Sequence, residues 1–289
     1  MTVRARHVAV IGAGTMGHGI AYVALLSGHT VGLADPDRDA LLAAHARIEA
    51  AFDRAIERGK ATDADRRSAL ERLATYPAVE PAAEGADILI EAVPERIDLK
   101  RALFSTAQHA VPPHAILATN TSSLSITDIA AAVAQPARVI GMHFFNPVPA
   151  MRLVELVRGR ATSDATVADA RAFAESLGKT AIVVNDTPGF ATSRLGVVLG
   201  LEAARMVEQG VASAEDIDRA MELGYNHPMG PLRLGDLVGL DVRLAIADHL
   251  HATLGGDMYR APELLRRMVA EGRLGRKSGE GFYRWEAEA

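Results

Sequence analysis

In this chain of 289 residues, a histidine and a glutamate stand where they could manage one proton between them. His143 lies in the apolar run Arg138–Phe144 and opens His143-Phe-Phe-Asn-Pro-Val-Pro149. Glu155 is the one polar residue of Leu153-Val-Glu-Leu-Val157. A carboxylate in so apolar a strand needs a partner, because an unpaired buried charge is costly. An antiparallel turn through Asn146-Pro-Val-Pro149 would return Glu155 to His143. A histidine held in this way is a general base of fixed tautomer, suited to taking a proton from a substrate hydroxyl.

A second group of residues is built for phosphate. Gly12-Ala-Gly14-Thr-Met-Gly17 follows an apolar run and opens a helical pattern. Gly12 allows a tight turn, Gly14 lets the backbone approach a pyrophosphate, and Gly17 lets helix and strand pack closely. The helix N-terminus, with Thr15 and Met16 in its first turn, offers N–H groups and a positive dipole end to the phosphates. Asp35 ends the next apolar run, near the spacing of about 20 residues at which a carboxylate accepts an adenosine 2′-hydroxyl. That carboxylate repels a 2′-phosphate, and Pro36 rather than an arginine follows it, which favours NAD over NADP although Arg38 is close by. A third segment, Asn120-Thr-Ser-Ser-Leu124, follows a strand end, where ligands bind in parallel sheets.

Taken singly, each of these residues has a plainer reading. A lone histidine at a strand edge is more often a structural hydrogen-bonder. Glu155 could pair with Arg152 or Arg158, and Ser122 and Ser123 could cap the following helix. The glycine turn with a surface Asp35 could carry no ligand. Their joint placement favours the chemical reading.

The elements that must hold these residues follow from periodicity. Strands are expected at His7–Ile11, Thr30–Ala34, Asp87–Val93, Ala115–Thr119, Arg138–Phe144, Leu153–Val157 and Ala181–Val184. Helical stretches such as Met16–Ser27, Ile97–Ala110 and Asp164–Leu177 lie between them. The alternation predicts a mostly parallel, doubly wound sheet with helices on both faces. Leu41, Leu42, Ile48, Phe52 and Ile56 recur every three or four residues, and the pattern resumes after Gly59; residues 39–73 thus read as a helical hairpin inserted between two strands. From Phe190 to Tyr283 only helices are expected. The first is Phe190–Gln209, ending at the C-cap residue Gly210. The next opens at Ser213 with a capping-box pattern to Asp216, and another begins at Met229-Gly-Pro-Leu232. The division is expected near 185, giving domains 1–185 and 186–289, with Asn185-Asp-Thr-Pro-Gly189 as hinge.

Composition narrows the classes. Hydrophobic residues make up 49% and charged residues 23%, which excludes a disordered chain. A net charge of −5 is no footprint for a nucleic-acid binder or for binding to an anionic membrane. The chain has no cysteine, so disulfides, thiolate metal sites and cysteine nucleophiles are ruled out. No residue set reads as a metal site. His7–Ile11 is too short to span a bilayer and leads into glycines rather than a cleavage site, so the cytoplasm is the expected location.

With these residues in view, the sequence resembles the L-3-hydroxyacyl-CoA dehydrogenases, in particular the bacterial 3-hydroxybutyryl-CoA dehydrogenases. The resemblance runs in order through Gly12–Gly17, Glu91-Ala-Val-Pro-Glu95, Asn120–Leu124, His143–Pro149, Asp186-Thr-Pro-Gly-Phe190, His227-Pro-Met-Gly-Pro231 and Gly279-Glu-Gly-Phe-Tyr283. It implies an α/β fold: an N-terminal Rossmann-type doubly wound sheet with an inserted helical hairpin, followed by an all-helical C-terminal domain. It implies oxidation of the 3-hydroxyl of an acyl-CoA by NAD. His143 matches the catalytic base, Glu155 its carboxylate partner, and Ser122 the serine that contacts substrate and nicotinamide. Glu95 and Lys100 match residues lining the ribose and nicotinamide side of NAD, Asn146 an asparagine near the nicotinamide, and Lys277 a tail lysine that reaches the cofactor. The hairpin matches the CoA-contacting element, with Lys60 a candidate for a CoA phosphate, and the helical domain matches the interface of a homodimer. The chain departs from the family at one place: Ser193 stands where many members carry a substrate-contacting asparagine.

Other functions remain possible from sequence. A sugar-acid dehydrogenase of the related gulonate type could use the same Ser–His–Glu set. A CoA substrate would need basic contacts along the hairpin, where Arg54, Arg58 and Lys60 are available. A non-catalytic NAD-binding structural protein would have no reason to keep Ser122, His143 and Glu155 together.

Overall fold

In the computed structural model, residues 5–286 are described, and they form two compact units that part between Asp186 and Thr187. The first unit runs β1 (His7–Ile11), α1 (Thr15–Leu26), β2 (Thr30–Ala34), α2 (Arg38–Glu57), α3 (Asp63–Glu71), β3 (Leu73–Tyr76), α4 (Val79–Ala83) and β4 (Ile88–Glu91). It continues with α5 (Ile97–Ala110), β5 (Ile116–Thr119), α6 (Ile126–Ala130), β6 (Val139–Phe144), β7 (Leu153–Arg158), α7 (Asp164–Ser176) and β8 (Thr180–Asn185). The strands form one sheet in the order β3-β2-β1-β4-β5-β6-β7-β8. Every neighbouring pair is parallel except β6 and β7. Val8, Ile88, Leu117 and Ile140 are wholly buried, as strands covered on both faces must be.

The hairpin is a crossover rather than a free insertion. Helices α2 and α3 connect β2 to β3, which pairs with β2 and was not expected. At four residues, with two of them exposed, β3 lacks the continuous apolar run that marked the inner strands. Asp37 caps α2 by accepting from the Asp39 N–H, and α2 buries Leu41, Ile48 and Phe52 against α1. The Phe52 ring meets Tyr22 edge-on at 4.9 Å. Burying a side chain of that size contributes about 1.5–3 kcal/mol. Leu42, expected on the apolar face, is 60% exposed; it lies one position round the helix from Leu41. Asp186 ends the first unit by accepting from the N–H groups of Ile126 and Thr127, which ties it to the start of α6.

The second unit contains α8 (Thr192–Glu208), α9 (Ala214–Gly224), α10 (Pro231–Val238), α11 (Leu240–Leu254) and α12 (Glu263–Ala270). Helix α8 starts two residues later than expected because Phe190 has φ 50°, outside the right-handed helical region. Ser213 caps α9 by accepting from the Asp216 N–H, and Pro231 takes the first position of α10, where a missing N–H costs nothing. Val197, Leu201, Leu240, Leu250, Leu265 and Met268 form its main core cluster. Two buried carboxylates fasten the Gly279–Tyr283 segment. Asp236 accepts from the N–H groups of Phe282 and Tyr283 and from Trp285 Nε1. Asp218 accepts from the Leu232 and Arg233 N–H groups and from the Tyr283 hydroxyl, a phenol whose pKa burial and that carboxylate push up.

Candidate active site

The glycine loop joins β1 to α1, and close contacts require two of its three glycines. Gly12 has φ 103°, and a Cβ there would stand 2.6 Å from the Ala92 carbonyl oxygen. At Gly17 a Cβ would stand 1.7 Å from the Gly12 oxygen, so helix and strand could not close. At Gly14 a Cβ would meet nothing within 4 Å. The room there opens on a cavity of about 880 Å³, whose lining includes Gly12, Gly14, Thr15, Met16 and Asp35. Asp35 Oδ2 accepts from the Ala13 N–H at 2.8 Å, and Oδ1 accepts from the Asp37 N–H at 2.9 Å. Each oxygen has a further lone pair for a ligand hydroxyl. The opposite wall, with Pro77, Val79, Leu99 and Leu103, is apolar and suits a flat base. Sequence reasoning missed this wall; the signal for it was Pro77-Ala-Val79, which follows the unrecognised strand β3.

At the C-terminal end of β6, His143 is paired in register with Glu155 of β7. Nδ1 stands 2.8 Å from Glu155 Oε2, with side-chain exposures of 9% and 0%. The Phe145 ring lies over the imidazole at a centroid distance of 4.3 Å. Of the two arginines that could have paired with Glu155, Arg158 pairs with Asp164, and Arg152 forms no ion pair among the described residues. An ionised carboxylate only accepts, so Nδ1 carries a hydrogen and, in the neutral ring, Nε2 has the lone pair.

Between these features lies the 120–124 loop. Asn120 Oδ1 accepts from the Phe144 N–H at 2.9 Å, tying the loop to β6. Ser125 caps α6, so the expected capping by Ser122 or Ser123 does not occur. Glu95 Oε1 instead gathers this loop: it accepts from the Thr121 hydroxyl at 2.5 Å and the Ser122 N–H at 2.9 Å. Burial works against the charge on Glu95, but Lys100 and these donors outweigh it and hold the carboxyl below its usual range. Lys100 is not on the cavity wall: its side chain is 1% exposed, and its ammonium sits against Glu91 and Glu95. Asn146 is exposed in the turn between β6 and β7.

Lys60 lines a different hollow of about 690 Å³, together with Tyr22, Arg54, Arg58, Arg152 and Lys179. Lys179 is committed, donating to the carbonyls of Val148 and Met151. Arg54, Arg58, Lys60 and Arg152 line this hollow and form no ion pair among the described residues. In the second unit, Ser193 lies in the first turn of α8, and Lys277 forms an ion pair with Asp241 at 2.6 Å.

A family model for the 3-hydroxyacyl-CoA dehydrogenase NAD-binding domain matches residues 7–187, and one for the C-terminal domain matches residues 189–285. The chain belongs to the 3-hydroxyacyl-CoA dehydrogenase family. It is 48% identical over 281 residues to a probable 3-hydroxybutyryl-CoA dehydrogenase of Bacillus subtilis, covering 97% of this chain and 98% of that one. A 3-hydroxybutyryl-CoA dehydrogenase of Mycobacterium tuberculosis is 44% identical over 280 residues, covering 96% and 98%. Among solved structures, (S)-3-hydroxybutyryl-CoA dehydrogenase of Ralstonia eutropha superposes with a TM-score of 0.94 at 43% identity, covering 98% of this chain and all of that one. The first unit of this dehydrogenase is therefore an NAD-binding domain, in keeping with the cavity above Gly14. Among the described residues no helix is long and apolar enough to cross a membrane.

Proposed function

We propose that the enzyme catalyses the reversible NAD-dependent oxidation of (S)-3-hydroxyacyl-CoA, typified by 3-hydroxybutyryl-CoA, to 3-ketoacyl-CoA. The observation that carries this reading is the buried 2.8 Å contact between His143 and Glu155, on the same sheet as the glycine loop. NAD, when bound, supplies the hydride acceptor. Its adenosine end is assigned to Gly12, Gly14, Thr15, Met16, Gly17 and Asp35; Glu95, Asn146 and Lys277 are assigned to its other half, with the buried Lys100 acting there through Glu95. His143 Nε2 takes the proton from the substrate 3-hydroxyl. Glu155 stabilises the imidazolium that results and holds the ring in one tautomer. Ser122 contacts the substrate oxygen, its hydroxyl hydrogen turning to it from the 3.4 Å contact with Glu95 Oε1, and Ser193 is a further substrate contact. In the reverse direction the His143 imidazolium is the acid that protonates the ketone oxygen.

The hollow at Arg54, Arg58 and Lys60 supports a phosphorylated substrate, because clustered cations without ion partners attract phosphate. The second unit exposes Leu195, Leu223 and Tyr225 at 72%, 80% and 76%, which supports a homodimer formed through it. The cytoplasm is the proposed compartment, and a chain without cysteine is compatible with a reducing one. The decisive experiment is NADH oxidation with acetoacetyl-CoA, alongside free acetoacetate and 3-keto sugar acids. Turnover only with the thioester supports the reading. Turnover with the sugar acids but not the thioester, or with neither, overturns it.

A further inference from the structure

Lys100 is a lysine that water does not reach. It lies on α5 with 1% of its side chain exposed. Its ammonium stands 2.7 Å from Glu91 Oε1, 3.2 Å from Glu95 Oε2 and 3.4 Å from the Val93 carbonyl oxygen. An ammonium has three N–H donors, so these acceptors take up all of them. No donor is left to reach a cofactor directly.

Glu91, at the end of β4, is wholly buried. Its Oε1 also accepts from the Val93 N–H at 2.7 Å, and its Oε2 accepts from the Thr119 hydroxyl at 2.6 Å. Burial raises the pKa of this carboxyl, with the charge of Lys100 the foremost influence holding it down. On the other side of the ammonium, Glu95 holds the N–H and hydroxyl groups of the 121–123 loop through Oε1. The contacts thus run without a gap from Glu91 through Lys100 and Glu95 to the backbone of Ser122.

We propose that Glu91 is a positioning residue for the dehydrogenase reaction: it anchors the Lys100 ammonium beneath the sheet edge, so that Lys100 fixes Glu95 and Glu95 fixes Ser122 against the reacting atoms. The inference rests on the assignment of Ser122 as a substrate contact. Glu95 is 37% exposed and open to water, so it cannot hold the ammonium as firmly as the dry Glu91 does. Charge-assisted hydrogen bonds in a dry interior are short and directional, which suits them to transmitting a fixed geometry. Misplacing a reacting group by about 1 Å can cost about 10²-fold in rate.

The test is a double-mutant cycle on kcat for acetoacetyl-CoA reduction, with the NADH dissociation constant and Tm measured in parallel. Glu91→Gln preserves the shape and removes the charge. It should lower kcat about 10- to 100-fold in the Ser122 enzyme, the upper figure being the cost of a 1 Å misplacement, while NADH affinity, which also draws on the adenosine end, falls by a smaller factor. In the Ser122→Ala background the same substitution should lower kcat less than about threefold, because the group being positioned is gone. If Glu91→Gln does not fold, Thr119→Val, which removes only the hydroxyl on Glu91 Oε2, takes its place in the cycle with a smaller loss of the same pattern. Equal losses in both backgrounds, or unchanged kcat in a folded Glu91 or Thr119 variant, overturn the positioning role while leaving the dehydrogenase reading intact. A wild-type enzyme inactive on acetoacetyl-CoA overturns both.

Discussion

Glu155 faces His143 across the antiparallel ladder of β6 and β7, and its carboxylate lies 2.8 Å from Nδ1. Side chains alternate between faces along a strand, so a slip of one residue in this ladder would turn Glu155 away from the imidazole. Gly141 opposite Val157 and Met142 opposite Leu156 belong to the same register, so the packing of the strands and the pairing of acid and base are one arrangement.

His143→Gln keeps a hydrogen-bonding side chain but cannot cycle a proton near neutral pH. Steady-state assays should show kcat reduced about 10²–10⁴-fold, the usual worth of general acid–base catalysis. Glu155→Gln should also be severe, since the imidazolium then forms without its counter-charge. NADH titrations should give near-native affinity for both variants. Near-normal turnover in a His143 variant would sink its assignment as the base.

Asp35 has two tasks, holding the Ala13 N–H and facing the cavity. Asp35→Ala should weaken NADH binding about 10- to 100-fold, the equivalent of about 1.5–3 kcal/mol for a hydrogen bond to a charged group. The preference for NADH over NADPH should narrow at the same time, because the repulsion of a 2′-phosphate disappears. Fluorescence titration with both cofactors measures it. A wild-type enzyme equally efficient with both would refute the specificity role.

By the sequence resemblance Ser193 takes the place of a substrate-contacting asparagine, and its shorter hydroxyl can act through a bridging water. Ser193→Ala should reduce kcat/KM by about two- to twelvefold, the equivalent of about 0.5–1.5 kcal/mol for one neutral hydrogen bond. Ser193→Asn should remain active. Wild-type kcat/KM for Ser193→Ala across short and medium acyl chains would remove Ser193 from the site.

His29 sets a pH response away from the site. It is wholly buried, its Nδ1 accepts from the Arg6 N–H, and its Nε2 donates to Ser176 Oγ, whose own hydrogen goes to the Phe173 carbonyl. Burial, reinforced by the charges of Arg6 and Arg72, pushes its pKa below the ordinary 6.5. The folded state therefore favours the neutral ring. Its contribution to stability is fully present above the unfolded value of about 6.5 and is lost as pH falls from there through the folded pKa. His29→Gln should lower Tm near neutral pH and shrink the further drop in Tm between about pH 7 and pH 5. A drop as large as that of the wild type would show that His29 does not carry the acid response.

Much of this arrangement could be read before the structure, for identifiable reasons. The glycine loop and the inner strands announce themselves because burial on both faces forces unbroken apolar runs. The meeting of Glu155 with His143 followed from one acid in such a run and a turn of the right length. The same argument applied to Glu91, the acid that ends the apolar run Ile88–Glu91, but its partner was hidden. Lys100 sits on an amphipathic helix, where a lysine reads as surface, and only tertiary packing reveals that its ammonium turns inward. Strand β3 escaped notice because edge strands carry little hydrophobic signal. The cations of the second hollow stood out as charges, yet nothing in their spacing told that Arg152, nearly a hundred positions further on, would join Arg54 and Arg58.

The anchoring of the Gly279–Tyr283 segment bears on how the second unit is made. Asp236 is separated from its hydrogen-bond donors by 46 to 49 positions, so on the ribosome it is synthesised well before Phe282 and Trp285 exist. Until they arrive it has no reason to leave water, since a carboxylate withdrawn without donors is heavily penalised. Gly281 packs so tightly on this carboxylate that a Cβ would lie 2.2 Å from its oxygen. The nascent helices can form and collapse in the meantime, but the last seam of their core closes only after translation has passed Trp285.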